Sequence, residues 1–371
     1  MNEPEVPVRQ RVPLNDLSRG ISRDRDLLEE AARRVIDSGY VVMGTHHKEF
    51  EIALAGYLGV AAATGVASGT DALELAIKAA IPEGKGTVLT AANAGGYTST
   101  AARRAGYRLR YADVDPDSLC LTAQTVETAL VADVGVVVVT HLYGNLTDID
   151  RLVEMCGERG IRVVEDCAQA IGARRGERMA GSFGDLAAIS FYPTKNLGAL
   201  GDGGAVVTNN SALARRVAQL RQYGWATKYE VALPGGVNSR LDEIQAAFLL
   251  ARLPMLDAHN ERRRNIVSRY VAAAEGGPLK VLPADGAHHV AHLAVAVASD
   301  RQAAVEHFAE HGVSTDVHFP VPDHFQPGFE ADPHSLPVTE RAAGKVLSLP
   351  CFPELTDDEV QVVCEAIGSL A

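Results

Sequence analysis

Ser190–Gly204, SFYPTKNLGALGDGG, holds one lysine, Lys195, among small, apolar and glycine residues. It overlaps an apolar, β-rich run, LAAISFYP, and leads into another, GAVVTN. A lysine is ordinarily a solvated surface residue. The residues around this one decide between that role and a chemical one. The glycines follow the lysine and precede a strand, the reverse of the strand–GxGxxG–helix order of a dinucleotide site. A tight turn that holds Lys195 fits them better.

Working outward, similar runs recur through residues 61–209: AAATGVAS, GTVLTAAN, LRYADVD, GVVVVTHLYG, IRVVEDCA, LAAISFYP and GAVVTN. Helical patterns lie between them at 70–81, 98–106, 122–131 and 148–160. Strands alternating with helices predict a mostly parallel, doubly wound α/β sheet. Ligands of such sheets bind at the carboxyl ends of strands. Residues 239–274 read as one long amphipathic helical stretch. A smaller α+β segment follows, opening with the strand candidate HHVAHLAVAVA and closing with the helix TDDEVQVVCEAIGSL. The expected division is 1–250, an N-terminal segment with the large domain, and 251–371, a linking helix with the small domain.

The chain has 371 residues, 47% hydrophobic and 22% charged, with a formal net charge of −12. That length predicts a large core. The acidic balance argues against a nucleic-acid surface, which needs a basic patch. It leaves room for a small anionic ligand in a locally positive pocket. No apolar run has membrane-spanning length, and MNEPEVPVRQRVPLNDL lacks the apolar core of a secretory signal. Five widely spaced cysteines, Cys120, Cys156, Cys167, Cys351 and Cys364, without C-x-x-C, predict reduced thiols in a cytoplasmic protein. The histidines of HHVAHLAV (288–295) are read as strand and surface packing, and no metal site is expected.

Asp166 ends the run IRVVEDCA, at a strand's carboxyl end. Alone it reads equally as a helix cap or a loop carboxylate. With Lys195 at the turn after the next strand, it acquires a second meaning. A pyridoxal phosphate site needs a lysine amine for a Schiff base. It also needs a carboxylate that keeps the pyridine nitrogen protonated. The cofactor's phosphate needs N–H groups and hydroxyls, best supplied by a helix N-terminus. VASGTDALELAI offers Ser68, Gly69 and Thr70 there, although a plain N-cap fits the same residues. Ser190 is a second phosphate candidate. Tyr97, in NAGGYTSTA, is the candidate to stack on the pyridine ring. Gln169 shares the turn after Asp166.

With these residues in view, the chain resembles the DegT/DnrJ/EryC1/StrS family of sugar aminotransferases over nearly its full length. The resemblance is carried by SGYVVMG, VASGTDALELA, DVDPDSL, HLYGN, EDCAQAIGA, SFYPTKNLGALGDGG, NSRLDEIQAA and DVHFPVPDH. It implies the aspartate aminotransferase-like fold type I, with a seven-stranded sheet, pyridoxal 5'-phosphate as cofactor, and a homodimer. Lys195 then matches the Schiff-base lysine and Asp166 the pyridine-nitrogen partner. Gln169 matches the residue near the phenolic oxygen, and Gly69, Thr70 and Ser190 the phosphate cradle. Asn238 matches an asparagine that reaches the neighbouring subunit's phosphate. Tyr97 takes the stacking position, but the family's NTFIAT-like stretch is NAGGYTST here, which alters the local backbone.

The reaction implied is transamination of a nucleotide-linked keto-6-deoxyhexose, often dTDP-linked, at C3 or C4. L-Glutamate is the expected donor. Lys228, Tyr229 and Arg240 are candidates for the nucleotide diphosphate, and His318 and His324 for the sugar. Surface or packing roles remain open for all five. The product would serve natural-product or polysaccharide biosynthesis. The alternatives are a dehydratase of the same fold, which replaces the lysine with histidine, and a non-catalytic regulatory relative.

Overall fold

A computed structural model describes residues 11–329 and 335–370. The start of the N-terminal stretch, residues 1–10, lies outside them. Seven strands form the main sheet: β1 (Ala62–Val66), β2 (Thr87–Ala91), β3 (Arg108–Ala112), β4 (Val134–Thr140), β5 (Arg162–Asp166), β6 (Leu186–Ser190) and β7 (Gly204–Thr208). Their spatial order is β1-β7-β6-β5-β4-β2-β3. All run in one direction except β7, which is antiparallel to both its neighbours. The mostly parallel α/β expectation holds.

Burial explains why the strands read as continuous apolar runs. Every residue of β2, β4, β6 and β7 is buried, because a sheet covered on both faces has no wet side. Val136 and Val138 join the core on one face, and Val137 and Val139 the core on the other. Strands β3 and β5 each open on an exposed arginine, Arg108 and Arg162, before their buried positions. Helix α1 (Thr45–Leu58) packs on β1, while α2 (Gly69–Ala80) and α3 (Tyr97–Arg104) follow β1 and β2.

A second sheet, β8 (Leu279–Val281), β9 (Ala294–Ala298) and β10 (Val346–Leu349), is antiparallel. It has its own core, shared with Ile266, Val267, Tyr270, Phe308, Val360 and Val363. The stretch at 239–274 is two helices rather than one: α4 (Glu243–Arg252) and α5 (Leu256–Ala273). A 3-10 turn, Leu253–Met255, separates them. Pro254 lacks an N–H and its ring crowds the preceding turn, so the helix breaks there.

The strand expected from His288 begins only at Ala294. The histidines before it pair their backbone elsewhere: Leu146 N–H donates to His288 O (2.8 Å), Val290 N–H to Gly144 O (2.9 Å) and His292 N–H to Tyr143 O (3.0 Å). Gly144 makes this approach possible. It has φ 97°, and a Cβ there would lie 3.0 Å from His292 N. The segment ties the small sheet to the chain just beyond β4.

Two helices begin on glycine without a local side-chain cap. The cap of α1 is Gly44, and the acceptor comes from α4. Glu243 receives the Gly44 N–H at 2.7 Å and the His46 N–H at 2.6 Å. Helix α3 likewise starts after Gly96, in the left-handed region at φ 78°.

Candidate active site

The carboxyl ends of β1, β5 and β6 converge on one cleft. Asp166 closes β5, opposite Thr140 of β4 and Ala188 of β6. Ser190 closes β6, and Gly204 pairs with both Ser190 and Val66. A Cβ at Gly204 would lie 2.4 Å from Ser68 O, so this junction excludes any larger residue. After β6 the chain folds back through Lys195 N–H to Tyr192 O (2.8 Å) and Ala199 N–H to Phe191 O (2.8 Å). A Cβ at Gly198 would lie 2.4 Å from Pro193 O. This turn presents Lys195 to the cleft that Asp166 also lines.

Lys195 and Asp166 perturb each other through a low-dielectric space. Burial lowers the Lys195 amine from 10.5 to about 8, with the Asp166 charge opposing the shift. Near pH 7.5, roughly a quarter of such amines are neutral, against about 0.1% at the ordinary value. Neutral amine is the nucleophilic form. Burial raises the Asp166 carboxyl. The Ala168 N–H (3.1 Å), the Lys195 charge and the Thr140 hydroxyl (3.2 Å) pull it back down. On the preceding residue, Glu165 is wholly buried. It accepts the N–H groups of Gly181 (2.9 Å), Phe183 (2.7 Å) and Gly184 (2.7 Å) and lies 2.9 Å from His141 Nε2. These bonds anchor the strand end that carries Asp166.

The start of α2 faces Ser190. The Ser68 hydroxyl caps the helix by accepting the Asp71 N–H at 3.1 Å. The i→i−4 pattern leaves the N–H groups of Gly69 and Thr70 over for a ligand. A Cβ at Gly69 would lie 2.6 Å from Ser190 Cβ and 2.9 Å from its Oγ. Hydroxyls, surplus N–H groups and a helix N-terminus suit a phosphate. A carboxylate and a partly neutral lysine a short way along the same cleft suit the ring that such a phosphate carries. The donor set fits pyridoxal phosphate.

The cleft also receives Tyr97, Gln169 and His318. Tyr97 is half exposed and meets Phe319 edge-to-face at 6.0 Å. The two glycines before it have a local reason. Gly95 and Gly96 adopt φ 76° and 78°, and a Cβ at Gly95 would lie 2.7 Å from the Phe319 ring. Gln169 Oε1 accepts the Tyr143 N–H at 2.6 Å, which fixes the amide's orientation. His318 Nδ1 lies 2.9 Å from Ser348 Oγ, and burial lowers its pKa.

Other candidates lie elsewhere. Asn238 is exposed and bridges Gln222. Lys228 sits over the Tyr229 ring, 5.0 Å from its centroid, on an exposed hairpin. Neither they nor Arg240 line this chain's cleft. His324 is also outside it, with Nε2 3.2 Å from Glu340 Oε1. Among the lining residues that escaped the sequence reading are Thr140, His292 and Phe319. Thr140 ends GVVVVT and was open to the same strand-end logic as Asp166. His292 is buried, its pKa far below the usual value, and its Nδ1 lies 2.9 Å from Asn196 Oδ1 beside Lys195. Only long-range pairing brings it there, so no local signal marked it.

An aminotransferase of the pyridoxal phosphate class is what this fold and cleft define. The model of the DegT/DnrJ/EryC1/StrS aminotransferase family matches residues 23–368. A dTDP-3-amino-3,4,6-trideoxy-alpha-D-glucose transaminase of Micromonospora megalomicea subsp. nigra is 39% identical, over 93% of this chain and 95% of that protein. A UDP-N-acetyl-3-dehydro-alpha-D-glucosamine 3-aminotransferase of Acidithiobacillus ferrooxidans is 36% identical, over 96% and 97%. The crystal structure of S. venezuelae DesV with a ketimine intermediate superposes with a TM-score of 0.92, at 37% identity, over 96% and 98%. The chain belongs to the DegT/DnrJ/EryC1/StrS family of pyridoxal phosphate-dependent nucleotide-sugar aminotransferases. Among the described residues no helix is long and apolar enough to cross a membrane.

Proposed function

We propose that this chain moves an amino group from an amino acid, L-glutamate, to the C3 or C4 keto group of a dTDP-linked 6-deoxyhexose. The products are a 2-oxo acid and an amino sugar destined for a natural product or polysaccharide. The observation that carries the reading is the facing of Lys195, its amine shifted to about 8, and Asp166 across one cleft with a phosphate-shaped cradle. The 39% identical relative, with its dTDP-linked 3-amino sugar, supports the nucleotide and the position.

When bound, pyridoxal phosphate supplies a carbonyl that carries the amino group and a ring that accepts electrons. The chain supplies the rest. Ser190, Gly69 and Thr70 bind the phosphate, Tyr97 covers the ring, and Gln169 orients its phenolic oxygen. Asp166 holds a proton on the ring nitrogen. Lys195 Nζ anchors the resting cofactor, then takes a proton from the amino-acid carbon and returns it across the reacting atoms. His318 borders the sugar.

Lys195 is the only lysine or arginine among the described residues lining the cleft. A nucleotide diphosphate therefore needs positive charge from elsewhere. We assign it to a second copy of the chain, whose Lys228, Tyr229 and Arg240 reach the substrate and whose Asn238 reaches the phosphate. The working protein is then a cytoplasmic homodimer of two-domain subunits, divided near residue 250.

Borohydride reduction followed by peptide mass spectrometry tests the cofactor linkage, and an adduct on Lys195 is expected. Assays with glutamate and a panel of dTDP- and UDP-linked 3-keto and 4-keto sugars then test the substrate. Amination confined to UDP-linked sugars would overturn the dTDP assignment. An adduct without turnover on any of them would favour a non-catalytic relative.

A further inference from the structure

The segment Val317–Phe329 carries two cleft residues, His318 and Phe319, and crosses over the start of α3, which presents Tyr97. Something has to hold these parts together, because α3 begins on a glycine with no local cap. The fastening is Asp323. It is 1% exposed and attaches twice: its N–H donates to Ala92 O at 2.7 Å, and its Oδ2 accepts the Ser99 hydroxyl at 2.5 Å. Ser99 is in the first turn of α3, and its Oγ also lies 2.9 Å from the Tyr111 hydroxyl on β3. The other carboxylate oxygen, Oδ1, is buried without a hydrogen-bond partner. The hole beside Gly95 takes the Phe319 ring, so the same few residues seat both aromatic walls of the cleft.

We propose that Asp323 is a positioning residue for the reaction, the latch that seats Phe319 against the turn presenting Tyr97. The inference rests on the reading of this cleft as the cofactor site. A buried carboxyl with one unsatisfied oxygen is costly to ionise, and burial raises this one to about 6 against the ordinary 3.8. The Ser99 hydroxyl and the Gly96 N–H favour the charged form but only partly offset burial. Among the described residues, the groups around it bring no compensating cation. Tyr111 is a phenol whose own pKa burial raises, Arg103 of α3 acts on Tyr111, and His324 is paired with Glu340. Opening the latch exposes the carboxyl to water and returns it to its ordinary value, so opening releases a proton. Protonation therefore keeps the latch shut, and ionisation between about pH 4 and 6 loosens it, by up to roughly 100-fold for a two-unit shift. At neutral pH the wall is held by hydrogen bonds against a buried charge.

Hydrogen exchange on the full-length protein, with and without pyridoxal phosphate, tests this. Asp323→Ala should speed exchange in peptides spanning 95–104 and 316–329 by roughly 10-fold. Asp323→Asn keeps an acceptor for Ser99 and should stay at or below the wild-type rate. After correction for intrinsic chemistry, wild-type opening should rise from pH 4 to pH 7, and opening of Asp323→Asn should not. Ser99→Ala offers a second route should Asp323→Ala fail to fold. The cofactor dissociation constant should rise several-fold in Asp323→Ala and recover in Asp323→Asn. Unchanged exchange in Asp323→Ala, or the same pH dependence in wild type and Asp323→Asn, overturns the latch. Faster exchange with an unmoved cofactor constant overturns the positioning role if Tyr97→Ala weakens the cofactor. If Tyr97→Ala leaves that constant unmoved, the reading of the cleft has failed, and exchange alone judges the latch.

Discussion

Substituting Gly69 by alanine puts a methyl group where the molecule has no space. The new carbon would lie 2.6 Å from Ser190 Cβ, 2.9 Å from Ser190 Oγ and 3.1 Å from Ser190 Cα. Contacts between carbons are comfortable near 3.5–4.0 Å, so the overlap is about 1 Å. Ser190 has no retreat, because it is paired to Gly204 in the sheet. The start of α2 has to move instead. Overpacking of this kind costs about 1–3 kcal/mol, and the better helix propensity of alanine returns at most about 1 kcal/mol. A net loss of about 1–2 kcal/mol corresponds to roughly 2–6 °C in melting temperature for a large domain. On the proposed phosphate cradle, moving the N–H groups of Gly69 and Thr70 would also remove one charge-assisted hydrogen bond, worth about 1.5–3 kcal/mol. Pyridoxal phosphate affinity should fall between tenfold and a hundredfold. The assay is thermal unfolding of the cofactor-free protein together with equilibrium dialysis of the cofactor. The double variant Gly69→Ala/Ser190→Gly should regain much of the stability, since Cβ and Oγ are gone, but not the affinity, since the hydroxyl is gone too. A Gly69→Ala protein that melts within about 1 °C of wild type and binds the cofactor equally well would refute the steric reasoning.

Lys195→Met should abolish the borohydride adduct and stabilise the cofactor-free protein by about 1–3 kcal/mol at pH 7, because a buried ammonium is removed. The lysine's folded pKa lies below its unfolded one, so its penalty is full below about pH 8 and fades as pH rises towards 10.5; urea unfolding at pH 7 and pH 10 should show the two proteins converge. Asp166→Asn should retain the cofactor while steady-state turnover falls by roughly a hundredfold or more, because in the proposed mechanism the ring nitrogen would lose its anionic partner. Glu243→Ala strands the N–H groups of Gly44 and His46 and should cost about 2–4 kcal/mol in urea unfolding, with Glu243→Gln recovering part of it.

The sequence made the sheet legible because its strands are buried on both faces and written as uninterrupted apolar runs. The residues that end them, Asp166 and Ser190, were legible for the same reason: position at a strand's carboxyl end follows from the pattern. Lys195 needed one further cue, the glycines that bring the chain back to the cleft. What escaped was whatever depends on distant backbone pairing. His292 belongs to a run that alternates like a strand, yet its N–H is taken by Tyr143 and the strand starts later. Pro254 was visible inside a helical pattern, and its missing N–H already marked the break between the two helices. His324 and His318 share one short loop, and no local periodicity tells which of them faces the cleft.

The two glycine-started helices tie function to the order of synthesis. Gly44 waits for a carboxylate 199 residues further on, and Ser99 for one 224 residues further on. At roughly 5–20 residues per second, each helix start leaves the ribosome some 10–45 s before its partner is made. A chain that ends early can have its central strands and still lack the closing parts of the cleft. Ligand binding stabilises only the state that has a site. The two carboxylates that complete these helix starts are set far along the chain, so only a nearly finished chain holds both.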